Sequence, residues 1–306
     1  MLPSEKISVL IFLSTIFFIY SFEARFLIAK LLGKKPGASV FQNIIHGLSI
    51  LGVICFVYGY FVEPYWIEVR NVAIQTPKLK KTSFTIVQIS DLHCDIKIRA
   101  ERKLVKMIND IKPDVIVFTG DALNSPLAID NLKNTLRDMH SNLGKFAVKG
   151  NWDVDFWNRA DLFQGTGFIE LNRTMESVEK NGEQLILSGI AAHTPVEGMV
   201  LPEDKFTIFL SHYPDFIESI APVRVDLYLA GHTHGGQVAL PFYGALITFS
   251  KFGKKYEAGK YKVNDTILYV NRGIGMEGGY APRVRFFARP EITVFKISPS
   301  DKLSIN

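Results

Sequence analysis

The sequence predicts an α/β domain carried on two transmembrane helices, and three observations predict it. Five short runs rich in β-branched and aromatic residues each lead into Asp, Asn or His. Amphipathic stretches with helical spacing separate the first three of these runs, and two long apolar runs occupy the first 65 residues. In open α/β sheets, ligands gather beyond the carboxyl ends of the strands, where loops leave the sheet and backbone groups are free. Five candidate ligand groups at five strand ends can therefore converge on one place.

The apolar runs come first. Val40–Val62 contains no Asp, Glu, Lys or Arg and is as long as the ~20 residues that cross a bilayer. Ile7–Phe22 reaches that length by continuing across Glu23 and Arg25 to Ala29, with those two side chains snorkelling to the interface. A signal peptide fits poorly, because no small-residue cleavage site precedes the second run. Tyr58, Tyr60, Tyr65 and Trp66 suit an aromatic belt at the end of the second span. Residues 1–65 thus read as an anchor with spans at about 7–28 and 40–62, and residues 66–300 as the domain it carries. Between the spans lie Arg25, Lys30, Lys34 and Lys35; against them stand Lys6 before the first and Arg70, Lys78, Lys80 and Lys81 after the second. Counted by the positive-inside tendency, the loop stays cytoplasmic by a narrow margin, which leaves the side of the domain open.

Ile67–Ile74 alternates as an early strand. Phe84–Ser90 leads to Asp91-Leu-His93, Val115–Thr119 to Gly120-Asp121, and Phe146–Lys149 to Gly150-Asn151. Arg99–Ile111, with Leu104, Ile108 and Ile111 on one face and Pro113 beyond it, links the first two as a βαβ unit. Ile129–Met139 places Leu132, Leu136 and Met139 on one face before the third. Phe206–Leu210 then leads to Ser211-His212, and Val225–Ala230 to Gly231-His232-Thr-His234. Leu185–Ile190, Ala245–Phe249, Thr266–Val270 and Ile292–Ile297 complete the expected strands, with no internal repeat or low-complexity linker.

Four imidazoles, two carboxylates and an amide form a nitrogen and oxygen donor set suited to divalent transition metals. Any one run would be weak, since Asp-x-His and Gly-Asp are common and a lone His more often packs than binds. Their shared position after strands is the specific signal.

Asp91-x-His93, Gly120-Asp121, Gly150-Asn151, His212 and Gly231-His-x-His234 resemble, in order and spacing, the signature of calcineurin-like metallophosphoesterases, over about residues 84–295. Gly-Gly-Gln after His234, Asn271-Arg-Gly-Ile-Gly275 and Arg289-Pro-Glu-Ile292 are similar to a bacterial membrane-attached subgroup. That subgroup includes enzymes similar to the UDP-2,3-diacylglucosamine pyrophosphatases of lipid A synthesis. The resemblance implies a four-layer αββα sandwich behind the two transmembrane helices, in a bacterial inner membrane. It implies one metal on Asp91, His93 and His234, another on Asn151, His212 and His232, and Asp121 bridging, with Asp121, Asn151 and His212 as catalytic residues. Two such cations, Mn, Zn or Fe, supply the nucleophile and charge stabilisation of an in-line displacement, so no Ser or Cys nucleophile is required. The expected reaction is hydrolysis of a phosphodiester or pyrophosphate, with a UDP-linked lipid as one substrate.

One position departs from the pattern: Trp152 stands where most members carry His after the Asn. An indole N–H donates one hydrogen bond and cannot act as an acid. Three readings follow: a leaving group good enough to need no acid, as in pyrophosphate cleavage; a substitute residue; or a weak or silent protein that binds phosphate ligands through its metal site.

The net charge of +5 is modest. Arg272, Arg283 and Arg285 are candidate contacts for an anionic, phosphorylated substrate, with membrane lipids as the other partner. No aromatic-and-basic groove pattern points to nucleic acid. Cys55 lies in a span and Cys94 beside the first motif, so a disulfide between them is not expected. His193, His46 and His140 read as structural, and Lys251, Lys254 and Lys255 as a solvated loop.

Overall fold

In the computed structural model, residues 1–34, 39–220, 223–278 and 282–300 are described. Helices α1 (Pro3–Leu31) and α2 (Val40–Phe61) form an antiparallel hairpin. Pro3 opens α1 where its missing N–H costs nothing, and Ser39 caps α2 by accepting from the Gln42 N–H. Both helices are long and apolar enough to cross a membrane. Glu23 does not snorkel as expected. It pairs with His46 of α2, whose other ring nitrogen lies 3.3 Å from Gln42, so two polar groups satisfy each other inside the hairpin. This pairing gives His46 a structural role. The start of α1 and the end of α2 both meet the domain, while Arg25, Lys30 and Lys34 lie toward the other end; Lys35 lies outside the described residues.

The domain is two six-stranded sheets packed face to face. The first contains β1 (Glu68–Thr76), β2 (Phe84–Ile89), β3 (Val115–Phe118), β4 (Gly144–Ala147), β5 (Phe168–Glu170) and β14 (Glu291–Pro299), in the order β1-β14-β2-β3-β4-β5. The second contains β6 (Thr174–Lys180), β7 (Glu183–Gly189), β8 (Phe206–Leu210), β9 (Leu227–Ala230), β12 (Gly259–Val263) and β13 (Thr266–Val270), in the order β12-β13-β9-β8-β7-β6. Strands β2, β3, β4 and β5 run parallel, as do β7, β8, β9 and β13.

Alternation decides which face each side chain takes. Phe84, Ile86, Val115 and Val117 point between the sheets to meet Ile208, Leu210, Leu227 and Leu229. Val87, Ile89, Ile116 and Phe118 point outward, under α3 (Glu101–Ile111) and α4 (Ile129–Arg137), which bury Leu104, Ile108, Leu132 and Leu136. The outer face of the second sheet, with Phe209, Tyr228 and Leu268, is covered by the 3₁₀ turn Pro214–Glu218 and by loops. This outer layer is therefore the thinner one.

Within the two large sheets, three strands escaped the sequence reading. Strands β6 and β12 are edge strands; β6 buries only Val178 and β12 buries nothing, so neither carries an apolar period. Strand β5 has only three residues. The expected strand Ala245–Phe249 is a correction: only Gly244–Ala245 pairs, as β11 against β10 (Ala239–Leu240). Beyond it the chain binds α1 instead, the Thr248 N–H and Oγ1 both donating to Glu5 at 2.8 Å. The buried Glu63 carboxylate likewise accepts the N–H groups of Phe287 and Ala288, at 3.0 and 2.6 Å. Arg285 donates its N–H to the Gly59 carbonyl of α2 at 2.9 Å.

Candidate metal centre

All seven predicted ligands sit just past the ends of central strands: Asp91 and His93 after β2, Asp121 after β3, Asn151 after β4, His212 after β8, and His232 and His234 after β9. Asn151 opens a one-turn helix, α5 (Asn151–Asp155). Five of the seven have left-handed backbones: Asp91 (φ 49°), His93 (41°), Asp121 (58°), His232 (75°) and His234 (52°). Each such residue costs roughly 1–3 kcal/mol, and such strain gathers where surrounding structure forces a functional geometry. Gly231 permits the closest approach, since a Cβ there would lie 2.0 Å from Ser90 Oγ and 2.4 Å from Asp91 Oδ2.

The two sheets deliver these groups to one point. His234 Nε2 lies 3.3 Å from Asp91 Oδ1, and the His93 and His234 rings are 5.1 Å apart. His212 Nε2 lies 3.2 Å from Asp121 Oδ2, and His93 Nε2 lies 3.7 Å from that same oxygen. His232 Nδ1 stands 3.2 Å from His212 Nε2. Asp91, His93 and His234 form one group of donor atoms close enough for a shared ion; Asp91, Asp121 and His212 form another. Asp121 thus faces both histidine sets, and Asp91 also reaches toward the second, 4.0 Å from His212 Nε2. The donor set fits divalent cations on a direct observation. Both ring nitrogens of His93 and the Asn151 Oδ1 are buried with no hydrogen-bond partner, a costly condition that ligation would remove for one His93 nitrogen and for the amide oxygen. His212 Nδ1 is 2.8 Å from the Thr119 carbonyl, which fixes the proton there and turns Nε2 to the site.

Electrostatics divide the ligands. Burial opposes a proton on His212, but Asp121 and Asp91 outweigh it and raise its pKa to about 10. Burial, with His212 adding to it, lowers His232 to about 3. Burial likewise lowers His93 to about 4. Burial resists the Asp121 charge, yet His212, His93 and His232 hold its pKa below the ordinary value. Burial lifts Asp91 to about 7, helped by Asp121 and opposed by His212.

Two carboxylates were not singled out from the sequence. Asp153, fully buried, accepts the N–H groups of Asp121, Ala122 and Gly150 at 2.8, 2.8 and 2.9 Å, and so locks two ligand loops together. Its place two residues after Asn151 was the available signal. Glu277 sits in a Gly-rich loop with no such signal. Burial together with Asp121 raises its carboxyl to about 7, and the neighbouring Trp152 side chain opposes that rise. The Trp152 ring stands edge-on to His93, 5.3 Å between centroids, and its backbone N–H donates to Asp121 Oδ1 at 2.8 Å.

The three arginines expected at the substrate have other partners. Arg285 is completely buried; it donates to the carbonyls of Gly275, Ala288 and Arg272, so the expectation of substrate contact is withdrawn for it. Arg272 is tied to Glu291 (2.6 Å) and Glu68. Arg283 pairs with Asp95 at 2.6 Å and stays partly exposed. His193, set aside in the sequence, lies 3.2 Å from Asp155 and lines a cleft of about 540 Å³ that also borders His232. Cys94 is a buried thiol whose pKa burial pushes up, consistent with packing.

Residues 84–236, which hold every ligand named above, match the calcineurin-like phosphoesterase family model. The chain belongs to the calcineurin-like metallophosphoesterase family. This metallophosphoesterase, a hydrolase of phosphoester bonds, is 34% identical to an uncharacterized metallophosphoesterase, YkuE, of Bacillus subtilis, over 80% of this chain and 91% of that one. It is 26% identical to the UDP-2,3-diacylglucosamine pyrophosphatase LpxG of Chlamydia muridarum, covering 80% and 93%. A transmembrane protein with a metallophosphoesterase domain from Danio rerio is 26% identical, covering 92% of this chain and 70% of that one.

Proposed function

We propose that this metallophosphoesterase is a membrane-anchored two-metal enzyme of the bacterial inner membrane that hydrolyses a lipid-linked phosphodiester or pyrophosphate. The observation that carries this reading is the join between ligands and anchor. The Arg285 guanidinium lies 3.4 Å from His234 Nδ1, while its backbone N–H is bonded to Gly59 of α2. Asp91, His93 and His234 would hold one cation, and Asn151, His212 and His232 the other, with Asp121 between them. Cations of this kind, Mn, Zn or Fe, generate the nucleophile from water and stabilise phosphoryl charge. Thr119 sets the His212 tautomer, and Asp153 fixes the loop amides that carry Asp121 and Gly150. Glu277, beside Trp152 and raised to about 7, is the candidate to carry the proton for the leaving oxygen that the family's missing His would have donated. A nucleotide phosphate leaves easily, so a pyrophosphate substrate asks least of that acid. The lipid named for the chlamydial relative is such a pyrophosphate and supports the same choice.

The test uses purified, Mn-loaded protein in detergent, offered UDP-2,3-diacylglucosamine and a simple aryl phosphodiester, with Asp121→Asn as control. Nucleotide release from the lipid that disappears in the control supports the proposal in full. Cleavage of the aryl ester alone keeps the class and removes this substrate. Failure to turn over either compound with Mn, Zn or Fe overturns the reading in favour of a phosphate-binding membrane protein.

A further inference from the structure

Residues 237–256, which follow His234 after Gly235 and Gly236, fold against the first turns of α1. Tyr243 lies with its hydroxyl 2.5 Å from Ser8 Oγ, Thr248 is bonded to Glu5, and the Leu2 side chain packs over Gly253. Ser8 is inside the apolar run that begins at Ile7, so Tyr243 stands at the level where α1 enters hydrocarbon. Its neighbour Phe242 is fully exposed, and Phe249 and Phe252 are nearly half exposed. Lys251, Lys254 and Lys255 interleave with them, Lys254 Nζ lying 3.9 Å above the Tyr243 ring. On the α2 side, exposed Phe287 continues the collar beside Phe286, which packs on Tyr58. Aromatic and lysine side chains mixed in this way, continuous with two apolar spans, suit a bilayer interface. The same lobe walls the cleft: Phe249 and Lys251 line it together with Tyr213, Phe216 and His193, and the ligand His232 borders it.

We infer that the 237–256 lobe inserts into the membrane interface and that the cleft takes its substrate from the bilayer. The substrate class is a lipid bearing a phosphodiester or pyrophosphate, its tails left in the bilayer and its phosphate drawn past Lys251 to His232. A space of about 540 Å³ has the size of a small-molecule site and holds a headgroup, so the acyl chains stay in the lipid. The substrate half of this inference rests on the function proposed above; the insertion half does not.

The experiment reconstitutes the full chain, in a Cys55→Ser background, into phosphatidylcholine–phosphatidylglycerol vesicles containing nitroxide-labelled lipid. A bimane fluorophore is attached at Phe242→Cys or at Glu179→Cys, an exposed position on β6 near the opposite end of the sandwich. Bimane at 242 is expected to be quenched severalfold more strongly than bimane at 179; equal quenching overturns insertion. Phe242→Asp is expected to lower turnover of a vesicle-embedded lipid pyrophosphate about tenfold, through lost local concentration, with hydrolysis of a soluble aryl phosphodiester unchanged. An equal fall in both overturns entry from the bilayer. Wild-type protein that hydrolyses neither compound defeats the proposed function alone, and the quenching then decides the lobe.

Discussion

The two ends of the sandwich solve the same problem, joining one sheet to the other, with opposite chemistry. At the amino ends of the strands the links are matched. Lys180 of the second sheet meets Asp114 of the first at 2.7 Å, and Lys78 meets Asp226 at 2.8 Å. Glu183 accepts the backbone N–H groups of Lys80, Lys81 and Thr82. At the carboxyl ends, buried Asp91, Asp121, His93, His212 and His234 crowd together beside half-buried His232, with only the His212 proton to offset the carboxylates and His93 left unpartnered. Five of the ligands there also have left-handed backbones. One end is complete as folded; the other has the donors that divalent cations would complete, which makes it the candidate reactive end.

The strongest way to break this contrast is Asp121→Asn, which removes the carboxylate that faces both histidine sets. Phosphodiesterase activity should fall at least about 10³-fold, because several kcal/mol of charge stabilisation are lost and each 1.36 kcal/mol is tenfold. Bound metal, measured by plasma mass spectrometry, should fall with it. Unchanged metal and activity would refute the bridging role. Next is Gly231→Ala, whose methyl would meet Ser90 and Asp91 and push the His232 loop away from the first sheet. A shift near 1 Å should reduce turnover about 10²-fold, and the overpacking should cost about 1–3 kcal/mol of stability, which activity and calorimetry measure separately.

Glu277→Gln sharpens the comparison inside the reactive end. The loss should be about 10²-fold for an alkyl leaving group and near zero for p-nitrophenolate, since only the poor leaving group needs a proton. A loss independent of leaving group would leave Glu277 a structural residue beside Trp152. The smallest effect belongs to the other end. Glu183 is held down to about 2, first by the Lys80 N–H and then, against some desolvation, by those of Lys81 and Thr82. Its folded pKa lies below the unfolded value of about 4.3, so its stabilisation is present above that pH and is lost as pH falls toward 2. Glu183→Gln should therefore flatten the decline of melting temperature between about pH 4.5 and 2 and leave activity at neutral pH alone.

Much of the site was legible in the chain because ligand type and strand-forming pattern are local properties. The runs ending at Asp91, Asp121, Asn151, His212 and His232 carry their own β propensity and their own donors, and two apolar stretches of spanning length need no partner to be recognised. Edge strands β6 and β12 were hidden because a face left in solvent imposes no apolar period. What only the tertiary structure decided are the contacts between residues distant in sequence. The packing of the sheets brought Glu277 to Trp152, set Arg285 in the interior with its side chain near His234 and its backbone on α2, gave Glu23 to His46, and turned the 237–256 lobe toward α1. Each depends on which surfaces meet in three dimensions, and no local propensity encodes that meeting.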